Sequence, residues 1–104
     1  MIIDERSYIL HPGKVPEYFK LYEAEGLPVQ RPILGNLIGY FQVEVGTLNQ
    51  VVHLWGYDSM GERERRRAQL VGNPDWQAYL KKAMGLIVRM ENRILTPAPF
   101  SPMK

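Results

Sequence analysis

Hydrophobic positions recur every second residue in four stretches of this chain, and every three or four residues between them. The period-two stretches predict strands over residues 2–10 (IIDERSYIL), 36–45 (NLIGYFQVEV), 50–57 (QVVHLWGY) and 86–95 (LIVRMENRIL). In the third, Val51, His53, Trp55 and Tyr57 share one face, and Val52, Leu54 and Gly56 the other. Neither face is cleanly polar, so this strand is expected at the centre of a sheet and covered on both sides. In the first, Asp4, Arg6 and Tyr8 share a face with Ile2 and Leu10, opposite Ile3, Glu5, Ser7 and Ile9. In the second, alternation sets Leu37, Phe41, Val43 and Val45 against Ile38, Tyr40, Gln42 and Glu44, with Gly39 a candidate bulge. The last alternates Arg89, Glu91 and Arg93 with Val88, Met90 and Ile94, as an edge strand or an ion-pair row does.

Helical periodicity fills the gaps. His11-Pro12-Gly13 is a turn, and a helix follows with Pro16 in its first turn and Val15, Phe19, Tyr22 and Gly26 on one stripe, with Tyr18 beside it. Gly26 and Pro28 are expected to weaken or end it, and Pro32 and Gly35 to interrupt any second helical turn. Gly46 to Asn49 reads as a hairpin connection. Ser59 and Glu62 are spaced as a capping box at the start of a helix carrying ERERRR. Pairs Glu62–Arg66 and Glu64–Arg67 fit its spacing, and no aromatic platform for bases lies among the arginines, so the run reads as a solvated face. Asn73-Pro74-Asp75 starts another helix, with Trp76, Leu80 and Ala83 on its buried stripe and Gly85 as its C-terminal cap. Prolines at 97, 99 and 102 keep residues 97–104 extended.

The element order is β-α-β-β-α-β, with the second helical region split. It predicts an α+β, ferredoxin-like fold: a four-stranded antiparallel sheet with helices on one face, over residues 1–96. The helix-free face still has to be hidden, which implies a homodimer through sheet faces, two copies pairing into a dimeric α/β barrel.

Composition narrows the chemistry. At 104 residues the chain is one domain, and a formal net charge of +2 gives no independent case for nucleic acid. It has no cysteine, so disulfides and thiolate metal sites are excluded. Charges at positions 4, 5 and 6 disfavour a signal peptide, and no stretch approaches the ~20 apolar residues of a membrane helix, making a cytoplasmic location the default. Nucleotide-binding loops and a Gly-x-Ser-x-Gly elbow are absent, so no cofactor is indicated. With only His11 and His53 as imidazoles, and His11 in a turn, a metal or haem site has little to build on. His53 is the best candidate for acid–base work. From the central strand it would meet Asp4, Arg6 and Tyr8 across the sheet, and that cluster would bind a carboxylate or enolate. Trp55 and Tyr40 are the candidate walls of a cavity for a small apolar or aromatic ligand.

The segments DERSY, HPGK, LPVQRPILGNLIGYF, VGTLNQVVHLWGYDSMGERERRRAQL, NPDW and LTPAPFSP, collinear over nearly the whole chain, resemble the NIPSNAP family. The resemblance implies a dimeric α/β barrel. In the wider superfamily it implies relatives that include cofactor-free oxygenases, haem-degrading enzymes, isomerases and dehydratases. Eukaryotic members are mitochondrial interaction proteins, and no one reaction belongs to the family. The family's acidic-x-Arg-x-Tyr pattern falls on Asp4, Arg6 and Tyr8, with aspartate where glutamate is usual, and its His and Trp fall on His53 and Trp55. Glu5 stands where an apolar residue is expected. Two functional classes follow: a small cofactor-independent enzyme or binder with a cavity near His53, or a non-catalytic homodimeric interaction module.

Overall fold

In a computed structural model, which describes residues Met1–Lys104, strands β1 (Ile2–Leu10), β2 (Asn36–Gln42), β3 (Gln50–Tyr57) and β4 (Ile87–Leu95) form one sheet in the order β2-β3-β1-β4. All neighbouring strands are antiparallel. Helices α1 (Val15–Leu21), α2 (Leu27–Leu34), α3 (Met60–Val71) and α4 (Pro74–Ala83) pack on one face only, giving the α+β, ferredoxin-like architecture. The shortest molecular dimension is 19 Å, enough for one sheet and one helical layer and no third. The buried apolar side chains form a single cluster that includes Tyr8, Leu10, Val51, Trp55 and Tyr57 from the sheet and Tyr18, Tyr22, Leu70, Trp76 and Tyr79 from the helices.

Register lays the helix-side face out in rows across the sheet. One row runs Leu37, Trp55, Asp4, Ile94, and the next Tyr40, His53, Arg6, Asn92. The polar trio of β1 therefore lies under the helices. Glu5 is on the opposite, open face, where Arg93 donates to it at 2.7 Å, so its charge does not enter the core.

Several local expectations change. The first helix does not end at Gly26. A π turn (Tyr22–Gly26) links α1 to α2, with the Leu27 N–H donating to the Tyr22 carbonyl five residues back. The wider turn accommodates Pro28 at the start of α2, and the buried stripe runs on through Gln30 to Leu34. Gly26 is there for space: a Cβ would sit 2.7 Å from the Tyr22 ring and 2.8 Å from that of Tyr79. Strand β2 stops at Gln42, and Val45 beyond it is 93% exposed. The bulge between Leu37 and Gly39 places Leu37 and Tyr40 on the same face, and Phe41 on the open one, reversing the simple alternation. Gly85 is not a left-handed cap, since the chain continues into a 3-10 turn, Met84–Leu86.

The capping box is half formed. Ser59 Oγ accepts from the Glu62 N–H at 3.1 Å, while the Glu62 carboxylate accepts from Arg65 and Arg66, each at 2.6 Å. Arg66 Nη1 also donates to the Ile33 carbonyl at 3.0 Å, tying α3 to the end of α2. The ERERRR run is not a uniformly solvated face. Arg65 fits that description and Arg66 is half-buried against the end of α2, but Arg63 and Arg67, one turn apart, point to the sheet on the side of buried Leu70, and no Glu64–Arg67 pair forms.

Gly26→Ala should destabilise the fold by about 1–3 kcal/mol, because two ring edges must move. Gly85→Ala, where nothing lies within 4 Å of the new methyl, should be neutral or stabilise by up to about 1 kcal/mol. Urea unfolding of the two variants tests the contrast.

Candidate functional site

Asp4 organises the site from below. It is 0% exposed and accepts hydrogen bonds from three elements: Arg6 Nη1 of β1 at 3.3 Å, Arg63 Nε of α3 at 3.0 Å and Asn92 Nδ2 of β4 at 3.0 Å. Burial alone would raise its carboxyl pKa, but the Asn92 hydrogen bond and the Arg6 and Arg63 charges outweigh burial and hold it below 3.8. Arg6 also donates from Nε to the Tyr8 hydroxyl at 3.1 Å. Burial opposes the charge on Arg6, yet Tyr8 and Asp4 prevail and raise its pKa.

His53, 1% exposed, sits between aromatic rings. Tyr40 stacks on it at 4.3 Å between centroids, and Tyr8 meets it edge-on at 4.9 Å. Trp55 Nε1 donates to His53 Nδ1 at 2.7 Å. An indole N–H can only donate, so Nδ1 carries the lone pair and the imidazole proton is on Nε2. Burial, reinforced by the Arg6 charge, lowers the His53 pKa from 6.5 to about 3, and the ring is neutral at physiological pH. Neither nitrogen then has a free lone pair with which to take a proton. In this state His53 is a hydrogen-bond donor through Nε2, which is buried and has no partner in the protein.

Above His53 lies a cavity of about 240 Å³ between the sheet and the helices, lined by sixteen residues of which twelve are hydrophobic. Tyr8, Tyr18, Tyr22, Tyr40, Trp76 and Tyr79 supply its aromatic wall. Burial raises the pKa of Tyr18, Tyr22, Tyr40 and Tyr79 above 10, so these stay neutral phenols. Two of the hydroxyls on this wall meet at 2.7 Å, Tyr18 with Tyr40, and Tyr22 donates to Gln30 Oε1 at 2.5 Å. The polar lining is completed by Arg6, His53 and Arg67. Arg67 Nη1 is buried without a partner, and burial followed by the nearby Arg6 charge lowers its pKa. Tyr57, whose hydroxyl is also unpartnered, lies near Arg67 outside hydrogen-bonding geometry. Val71, Met84 and Met90 both line the cavity and are exposed, and they mark its mouth.

Of the residues singled out from sequence, Arg6, Tyr8, Tyr40 and His53 meet at this cavity. Asp4 and Trp55 do not line it; they stand behind Arg6 and His53 and orient them. The sequence reading missed Arg67, Arg63 and Asn92. Arg63, Arg67 and Leu70 recur at helical spacing on one stripe, a signal that charge pairing concealed. No group of three His, Asp or Glu side chains is placed to hold a metal ion.

Two consequences can be measured. Because folding lowers the His53 pKa, the unfolded chain binds more protons between about pH 3 and 6.5. Stability should therefore be full above pH 6.5 and fall as pH drops toward 3, with a limiting slope of about 1.4 kcal/mol per pH unit from this group. His53→Gln should flatten that slope in chemical denaturation run across pH, whereas His53→Ala should lose about 1–3 kcal/mol at pH 7 by orphaning the Trp55 N–H. Asp4→Asn should cost about 3–5 kcal/mol, since it leaves Arg6 and Arg63 buried without a counter-charge.

Comparison with known proteins bears on the fold and the family. The fold is shared with an antibiotic biosynthesis monooxygenase at a TM-score of 0.66 and 8% identity, covering 95% of this chain and 100% of that one. A NIPSNAP family protein from Agrobacterium tumefaciens superposes with a TM-score of 0.96 at 48% identity, covering 99% of this chain and 98% of that one. A NIPSNAP-like domain protein from Burkholderia xenovorans gives 0.93 at 52% identity, over 97% and 88% of the two chains. A NipSnap protein of Caenorhabditis elegans is 33% identical over 99% of this chain, which spans only 19% of that protein's length. With the NIPSNAP family model matching residues 3–102, the chain belongs to the NIPSNAP family.

Proposed function

We propose that this NIPSNAP protein binds a small, largely apolar or aromatic molecule in the cavity above His53. The carrying observation is a mostly apolar cavity under the helices whose floor is a buried histidine with an unpartnered donor nitrogen. At about 240 Å³ it suits a ligand on the order of ten non-hydrogen atoms. If the site is catalytic, Asp4, Arg6, Tyr8 and His53 are its machinery in different senses. Arg6 and His53 would stabilise developing negative charge, Tyr8 would complete the wall, and Asp4 would hold Arg6 in place. The cavity walls supply neutral phenols, engaged amides and cations, none of which is a ready base near neutral pH. That favours a binder, or an enzyme acting by electrostatic stabilisation, over a proton shuttle through His53.

A second reading concerns assembly. Phe41 on the open face is 51% exposed, and Ile3, Ile9, Val52 and Leu54 there are only partly covered. The β4 side of the same face carries Arg89, Glu91 and Arg93. A homodimer through these sheet faces would hide the apolar half, burying on the order of 2,000 Å² or more in total. A non-catalytic interaction module built on that dimer is the alternative function. The Pro-rich tail, residues 97–104, is not extended throughout but turns, with the Ser101 N–H donating to the Ala98 carbonyl at 2.9 Å, and with Phe100 89% exposed it would be the contact segment.

A thermal-shift screen of small aromatic compounds should give hits that raise the melting temperature of the wild type and are lost in Tyr79→Trp, which fills the cavity. Hits that persist in that variant would place binding elsewhere. Sedimentation equilibrium at micromolar concentration should give twice the 12.0 kDa chain mass, and a Phe41→Glu variant should run as the monomer.

A further inference from the structure

Among the side chains that line the cavity, the two buried polar atoms without a partner are both donors. His53 Nε2 carries a proton, because Trp55 fixes the tautomer, and it has no acceptor. Arg67 Nη1 is a buried guanidinium nitrogen, likewise without one. The wall's acceptors are largely engaged within the protein: Tyr18 and Tyr40 bond each other, Tyr22 bonds Gln30, and the Tyr8 hydroxyl accepts from Arg6. Formal charge points the same way. Under the helices Asp4 is the one buried carboxylate, and it already serves Arg6 and Arg63 at 3.3 and 3.0 Å, so Arg67 has no ion-pair partner in the chain. An unpaired buried cation is unfavourable in a folded protein unless something neutralises it.

We infer that the ligand is an organic monoanion, a small aryl or arylalkyl carboxylate, with its carboxylate on Arg67 Nη1 and His53 Nε2 and its ring among the tyrosines. The inference rests on the cavity reading and adds the charge and orientation of the occupant. A carboxylate has two acceptor oxygens and no donor, which complements two donors that have no acceptor. The aromatic wall takes the ring, since phenol and indole faces pack well against another aromatic. A neutral amide of the same shape would turn at least one N–H toward a donor and leave the Arg67 charge uncompensated. Arg6, already saturated on two sides by Asp4 and Tyr8, contributes field more than contact.

The test is calorimetric titration of the purified chain with phenylacetate and 3-phenylpropanoate, beside phenylacetamide and 3-phenylpropanamide. The acids should bind at least ten-fold more tightly than their amides. Arg67→Met should remove that preference and should raise the ligand-free melting temperature, because an unpaired charge is gone. In the wild type, the acids alone should shift the His53 Nε2–H resonance. Amides binding as well as acids, or an Arg67→Met protein that keeps the preference, would overturn the anion assignment and leave the cavity reading standing. No binding by either series to a cooperatively melting protein would remove both.

Discussion

The buried carboxylate of Asp4 is the constraint on which the rest of the structure depends. It sits on β1 beneath the helical layer, and its donors come from β1, α3 and β4. Losing a charged group's hydration is costly unless strong donors replace it, and here three do so. Those bonds fix more than one side chain. Arg63 holds α3 over the sheet, and Arg67 follows one turn later at the cavity. Arg66, between them, turns outward and joins α3 to α2 through the Ile33 carbonyl. A helix whose composition looks solvent-facing is thereby keyed to the core on one side and to its neighbour on the other.

The aromatic residues then decide what kind of space is left. All six tyrosines of the chain lie on the helix side of the sheet or on the helices above it, five of them at the cavity. Phenol rings are large and stiff, and their hydroxyls need partners when buried. The Tyr18–Tyr40 and Tyr22–Gln30 bonds supply them and brace the wall. Gly26 lets α1 and α2 run past the Tyr79 ring in near contact, so the space stays bounded. The same economy fixes His53: the Trp55 N–H consumes one nitrogen, and Tyr40 and Tyr8 hold the ring on a face and an edge.

What was legible in the sequence follows from how local each determinant is. The faces of β1 and β3 follow from alternation alone, because both strands are regular and two-sided, and their register then brings Arg6 opposite His53. In β2 a glycine bulge shifts the pattern by one residue, so Phe41 and Tyr40 exchange the faces that strict alternation assigns them. Helix continuity through Tyr22–Gly26 was hidden because Gly and Pro ordinarily stop helices, and only the π turn with its tertiary packing keeps this one going. Arg63 and Arg67 were hidden for a different reason. Spacing pairs Arg67 with Glu64 on its own helix and leaves Arg63 as one more charge of a solvated run, whereas burial pairs Arg63 with an aspartate 59 residues away and leaves Arg67 facing the cavity.

A protein selected for stability alone would gain by replacing Arg67 with an apolar residue of similar volume, since buried charge without a partner opposes folding. It would equally gain by filling a void lined with rings. This fold does neither: it keeps a guanidinium nitrogen and an imidazole N–H unpaired at the bottom of an aromatic cavity whose mouth is open at Val71, Met84 and Met90. Local inconsistency of this kind, in a chain whose other polar groups are nearly all satisfied, concentrates at functional sites because function supplies the missing partner. The open face of the sheet carries no comparable anomaly, as its charges pair at the surface through Glu5–Arg93 and Arg89–Glu91. In the proposed reading, assembly and ligand recognition would fall on opposite faces of one sheet, joined through β1, whose alternate residues face each side.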